Sequence, residues 1–221
     1  APFPGVVDPD VMDGTWRPAE TDGSGRDRAV LRDAMAVLKE AGYSLDGRVL
    51  KGPDGQPVSF EIMTKNEDEE KIALAYARNL DVIGIKANVR TVDPSQFEDR
   101  RIKFDFDMVF HMWSSSLSPG GEQMGRWSIA AADTPGSFNI TGAKEPAIDA
   151  MIAAMVASHS KEDFISAVRA LDRVLISGRY AVPLFHPPAE WLGHWTRITS
   201  PQIDPIYGFE TTTWWKTEGA N

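Results

Sequence analysis

Apolar side chains recur at helical spacing early in the chain. In SGRDRAVLRDAMAVLKEAGY, Val30, Leu31, Ala34, Met35 and Leu38 form one stripe, and Gly42 stands where a helix would close. RVLKGPDGQPVSFEIMTK changes period. Pro53, Asp54 and Gly55 supply turn chemistry between two runs of strand character, which predicts a hairpin. Phe60 and Ile62 alternate with Glu61, so one face of the second run is expected to be buried. EDEEKIALAYARNLDVIGI returns to the helical period, with an acidic first turn that suits the helix dipole and Gly84 at its end. KANVRTV predicts a strand, Asp93-Pro94 opens a short helix through SQFEDRRI, and FDFDMVFHMW predicts a strand ending at Trp113. Strands alternating with helices imply an α/β fold, a central sheet flanked by helices.

The pattern then breaks. SPGGEQMGRWSIAAADTPGSFN, residues 118–139, carries too many Gly, Pro and Ser for a strand and too many breakers for a helix, yet it holds Trp127 and Phe138. Two helices are predicted beyond it. EPAIDAMIAAMVAS places Ile148, Met151, Ile152 and Met155 on one face. SKEDFISAVRALDRVLIS begins with Ser160 and Asp163 at capping-box spacing and carries the stripe Phe164, Val168, Leu171, Val174 and Leu175. Residues 1–25 are rich in Pro, Gly and Asp and predict coil. Residues 181–221 mix short strand-like runs with Pro turns.

Composition narrows the function classes. The formal net charge of −9 argues against a phosphate-backbone partner, so no nucleic acid is expected. No apolar stretch is long enough to span a bilayer, and the first residues lack the basic and apolar regions of a signal peptide. The absence of cysteine excludes disulfides and thiolate chemistry. Seven Trp in 221 residues exceed what a core of this size needs, so some are expected at a surface or cleft. Trp214-Trp215 is read as buried packing.

Candidate chemistry is sparse. His111, His159, His186 and His194 form no close ligand pair, so neither a metal site nor a cofactor is expected. Asp105 and Asp107 share a strand face and are read as solvent-facing. There is no G-x-S-x-G elbow or P-loop. Ser114, Ser115 and Ser116 follow a predicted strand, and His111 would share a face with Trp113. A hydrolase using that serine loop with His111 as base is therefore one alternative, though without an identifiable acid. A purely structural interaction domain is another.

A set of segments in order resembles a known family. FDFDMVFHMW with SPGGEQ, then AAADTPGSFN, EPAIDAMI, RALDRVL and the late WW are similar to the extracytoplasmic solute-binding proteins, family 5, of ABC importers. The similarity is strongest to their YejA-like branch, associated with oligopeptide and microcin C uptake. TDGSGRDRAVLRDAMAVLKEAGY, DGQPVSFEI and RNLDVIGIKANVRTVD match as well. The resemblance implies the C-terminal lobe of a two-lobed periplasmic binding protein (class II, cluster C). Residues 1–25 would then be a linker from an upstream part, 26–180 an incomplete α/β lobe, and 181–221 a tail crossing back toward the first lobe. It implies a non-catalytic periplasmic protein whose partners are a peptide or peptide-like small molecule and the permease subunits, with no membrane insertion of its own. Family members hold the peptide ammonium with an aspartate shortly after the strand-end Trp. Here serines follow Trp113, and Asp133 or Glu122 would have to substitute. The expected ligand-binding residues are Trp113, Ser114, Ser115, Ser116, Glu122, Gln123, Arg126 and Trp127.

Overall fold

The computed structural model describes residues 3–113, 118–185, 191–203, 205–206 and 208–217. It divides into two units, Ala1–Ala181 and Val182–Asn221. In the first unit the elements run α1 (Pro9–Asp13), α2 (Arg28–Glu40), β1 (Ser44–Asp46), β2 (Val49–Lys51), β3 (Ser59–Thr64), α3 (Glu67–Asp81), β4 (Lys86–Thr91), α4 (Pro94–Ile102), β5 (Met108–Val109), α5 (Glu122–Trp127), α6 (Ile129–Ala132), α7 (Pro146–Val156) and α8 (Lys161–Gly178). Among the described residues no helix is long and apolar enough to cross a membrane.

Strands β3, β4 and β5 form a parallel sheet in the order β4-β3-β5. Ile62 pairs with Val89 on one side and Met108 on the other. The central position of β3 explains why the expected alternation fails. Ile62, Met63 and Thr64 are all buried, because a central parallel strand is covered on both faces. Met63 packs with Val92 and Phe97 in a small core, joined by Phe106 and Val109.

Side-chain caps set the helix starts. Asp27, Asn66 and Asp93 each accept two backbone N–H groups at the first turns of α2, α3 and α4. Ser160 caps α8, with Asp163 N donating to Ser160 Oγ at 3.1 Å and Ser160 Oγ donating to Asp163 Oδ2 at 2.7 Å. Ile148, Ile152, Met155, Leu171 and Val174 from α7 and α8 build the main core.

Four local expectations are corrected. The hairpin at Pro53-Asp54-Gly55 shrinks to one bridge, Lys51 with Pro57, and β2 instead pairs antiparallel with β1. Pro57 has no N–H with which to continue a ladder. The strand expected to end at Trp113 is only Met108–Val109. Just before it, Glu61 N donates to the Asp107 carboxylate at 2.8 Å, so a side chain takes the place of a ladder bond. Asp105 lies 3.0 Å from Arg100, and both aspartates are exposed, as expected. The irregular segment contains α5 and α6. The coil at the start contains α1, whose Val11 is buried; Phe3, Val6 and Val7 pack on the α7–α8 core.

The second unit holds a two-stranded antiparallel pair, β6 (Ile198–Thr199) with β7 (Trp215–Lys216), and a 3-10 turn at Thr211–Thr213. Trp214 is half-buried between His194 and Phe209, whereas Trp215 is exposed, contrary to the packing expected of the pair. Trp191 and Trp195 are also open to solvent.

Candidate functional site

Beyond β5 the chain runs through His111 to Trp113 at the carboxyl end of the sheet. A row of aromatic rings starts there. His111 meets Trp113 edge-on at 5.1 Å between centroids. Trp113 stacks on Trp127 at 5.8 Å with planes 29° apart, and Trp127 leans on Tyr180 at 6.0 Å. These distances and inclinations suit the ring quadrupoles. Trp127 and Tyr180 also pack on the α7–α8 core, so the row is anchored at one end. Trp113 is 37% exposed and, with His111, forms the accessible part of the row.

Long-range hydrogen bonds position α5 and α6. Asn139 is fully buried. Its Nδ2 donates to Ser128 O at 2.9 Å and Ala143 O at 3.0 Å, and its Oδ1 accepts from Ala143 N at 3.1 Å. Ile129 N donates to Asp149 Oδ1 on α7 at 3.1 Å. Together these bonds tie the segment behind Trp127 to the main core.

The expected site residues fare unequally. Trp113 and Trp127 come together. Arg126 is half-buried next to Trp127 on α5. Gln123 is buried, and its Nε2 donates to Glu122 Oε1 at 3.1 Å. Glu122 is exposed and accepts Gly120 N at 2.9 Å; that bond leads the causes holding its carboxyl below the usual range. Asp133, the other possible ammonium anchor, is ion-paired with Lys144 at 2.6 Å. Ser114, Ser115 and Ser116 lie outside the described residues.

Electrostatics single out His111. The residue is exposed by surface area, yet its ring is partly desolvated, and this is the first cause holding its pKa below the ordinary value. Arg101, Lys65 and Arg126 act in the same direction. Lys65, Arg101 and Tyr180 were not among the expected residues. Lys65 follows β3 directly, so the β3–β5 register could have flagged it; nothing in the sequence pattern marks Tyr180. Among the described residues no group of three or more His, Asp or Glu is arranged to hold a metal ion.

This α/β arrangement is the fold of periplasmic binding proteins. It matches the oligopeptide-binding protein AppA from Bacillus subtilis, solved in complex with a nonapeptide, with a TM-score of 0.66 at 19% identity over 85% of this chain and 37% of that one. The chain belongs to the bacterial extracellular solute-binding proteins, family 5, whose middle-section model matches residues 5–134. A Brucella melitensis relative is 52% identical over 217 residues, 98% of this chain and 35% of its own length. The peptidoglycan-binding protein YepA of Agrobacterium fabrum is 45% identical over 206 residues, 93% of this chain and 34% of its own length. The chain thus spans about a third of the length of these relatives.

Proposed function

We propose that this chain supplies part of the solute-binding cleft of an extracytoplasmic component of a bacterial ABC importer. That component captures peptide-like solutes and delivers them to the permease without chemical change. The observation carrying this reading is Trp113, half open at the carboxyl end of a parallel sheet and backed by a ring that is itself anchored in the core. Clefts at the carboxyl ends of strands are where open α/β sheets take ligands. A rigid aromatic wall loses little entropy on binding.

The relatives' names support the solute class. One is called a peptidoglycan-binding protein, and the structural neighbour holds a nonapeptide. Peptidoglycan carries short peptides, so the two agree on peptide-like chemistry. We read the open apolar side chains of the second unit as a surface for the remainder of a longer protein, with residues 1–25 as the chain entering from it. Contacts from two lobes would favour a closed state, the population a permease can sense.

Among the described residues the charged groups acting on His111 are cations, which speaks against the hydrolase alternative. A base needs an acceptor to orient and stabilise its imidazolium. The test is native mass spectrometry of the protein purified from its host, joined to a turnover assay with ester and peptide substrates. A co-purifying peptide-like molecule released unchanged is the expected result. Hydrolysis that disappears in His111→Gln would sink the proposal.

A further inference from the structure

Trp127, the ring on which Trp113 stacks, stands on a weak support. Helix α5 has only 6 residues, its N-cap is Gly121 with no side chain to cap it, and Gly125 lies within it. A helix this short, with a glycine inside, does not hold its shape by backbone bonds alone. Trp127 is the last residue of α5, so the posture of its indole is decided by what packs behind it. That backing is the α7–α8 core and the ring of Tyr180, which leans on Trp127 at 6.0 Å between centroids with planes 48° apart.

Tyr180 is itself closely held. Helix α8 ends at Gly178, and Arg179 takes a left-handed backbone that turns the chain directly after it. The N–H of Arg179 donates to Ile176 O at 3.2 Å and its guanidinium to Ser177 O at 3.0 Å, which fixes the turn. The turn lays the Tyr180 ring against the end of the helix. A Cβ added at Gly178 would overlap Cε2 of that ring and lie 2.7 Å from its Cζ, so only glycine leaves the ring room in this place. The half-buried Tyr180 ring thus rests on Gly178 and on Trp127, and packs with the main core.

We propose that Tyr180 is a positioning residue for solute binding: seated on Gly178, it sets the tilt of Trp127 and, through Trp127, the face that Trp113 offers to a solute. This rests on the solute-binding reading above and adds to it the part of the fold that tunes the aromatic wall. Contacts between rings depend on inclination as well as distance, because the ring quadrupoles favour offset-stacked and edge-on arrangements. A rotation of Trp127 therefore carries the stacked Trp113 with it. Binding groups have to be held to within about 0.5 Å of their productive place, and the packing behind them does this. Tyr180 acts through Trp127, without touching the solute.

The test uses the 15N-labelled chain, with N-acetylphenylalanine as the probe because it offers a flat ring and an amide. Gly178→Ala is the main variant. It pushes the Tyr180 ring aside, changes no residue of the aromatic row, and introduces the better helix former, so its urea midpoint should hold or rise. Expected with it are shifts of the Trp113 and Trp127 indole N–H signals and about fivefold weaker binding of the probe. Tyr180→Ala should move the same signals and weaken binding alike, while Tyr180→Phe, which keeps the ring, should match the parent chain. A merely structural Tyr180 would lower the urea midpoint and leave the affinity of the folded variants unchanged. Parent-like affinity in Gly178→Ala and Tyr180→Ala, or weaker binding with unmoved indole signals, would overturn this inference and leave the aromatic wall standing. No shift at Trp113 from the probe in the parent chain would remove the wall, and this inference with it.

Discussion

Arg179 Nη1 donates to Asp8 Oδ2 at 2.7 Å, joining two residues 171 positions apart. Asp8 N also donates to Ser177 Oγ at 3.0 Å, and Arg179 takes a left-handed backbone at φ 47° to close α8. The clasp holds the start of the first unit against the end of its last helix. The Arg179 side chain is 62% exposed and that of Asp8 36%, so water screens the ion pair and it is worth less than about 1 kcal/mol. Asp8→Asn should lower unfolding stability by no more than that in urea. Arg179→Gly should be near neutral, because relief of the left-handed residue, about 1 kcal/mol, offsets the lost pair. A loss above about 2 kcal/mol in either variant would show a larger role than a surface ion pair can have.

Asn139 should be far less tolerant. It is fully buried, and truncation strands the carbonyl and the N–H of Ala143, while Ser128 O keeps the N–H groups of Ala131 and Ala132. Asn139→Ala is expected to cost about 3 kcal/mol or more, since each buried orphan costs roughly 1–3 kcal/mol. Asn139→Asp should be no better, because it turns a carboxylate toward two carbonyl oxygens. Urea midpoints measure both; a loss under about 1 kcal/mol would mean that water replaces the amide.

Gly84 has a left-handed φ of 83°, and an added Cβ would lie 2.7 Å from Leu50 N. That N–H donates to Gly84 O at 2.8 Å, so the bond between β2 and the end of α3 would be forced apart. Gly84→Ala should cost about 2–4 kcal/mol, combining backbone strain with overpacking. Gly47 has φ 61° with no atom within 4 Å of the added Cβ, so Gly47→Ala provides the strain-only control at about 1 kcal/mol. Equal melting shifts for the two would refute the crowding.

The helices were legible where periodicity and capping agreed. Ile148, Ile152 and Met155 were placed on the buried face, and Ser160 with Asp163 marked the start of α8. The misses share a cause: contacts distant in sequence decided them. Helix α5 has glycines before and within it and is fixed through Trp127, Asn139 and the main core. Strand β1 is polar, short and defined only by its partner β2. Aromatic content and position pick out Trp113 as a candidate, but the row behind it needs Tyr180, which follows α8.

Protonation of His111 should report on its partly desolvated surroundings. Desolvation, then Arg101, Lys65 and Arg126, hold its pKa below the ordinary value. The unfolded chain takes up this proton near pH 6.5, the folded chain only lower, so the unfolded state binds more protons in between. His111 therefore subtracts nothing well above about pH 6.5, and stability falls as pH drops from there toward the folded pKa. His111→Gln should flatten that part of the profile. Urea midpoints between about pH 5 and 8 test it, and an unchanged slope would show His111 to be fully solvated.

Trp113 and Trp127 should separate binding from stability. Trp113→Ala is expected to weaken N-acetylphenylalanine binding about thirtyfold, or about 2 kcal/mol, while costing only about 1 kcal/mol of stability. Trp127→Ala, which removes a ring packed on the α7–α8 core, should cost about 3 kcal/mol of stability. Calorimetric titration and melts on both variants decide. Unchanged affinity with a collapsed melting temperature in Trp113→Ala would assign that ring to the core.

Two indoles 5.8 Å apart with planes inclined by 29° do not absorb independently. Their transition dipoles couple, and the pair acts as one chromophore with a signed near-ultraviolet circular dichroism band. Trp113→Phe and Trp127→Phe should each remove the same band, which distinguishes it from the signals of the other tryptophans. A solute that pries Trp113 off Trp127 would erase the band, and one that settles on the outer face would leave it in place. The protein thus carries an optical gauge of its own, readable without a label.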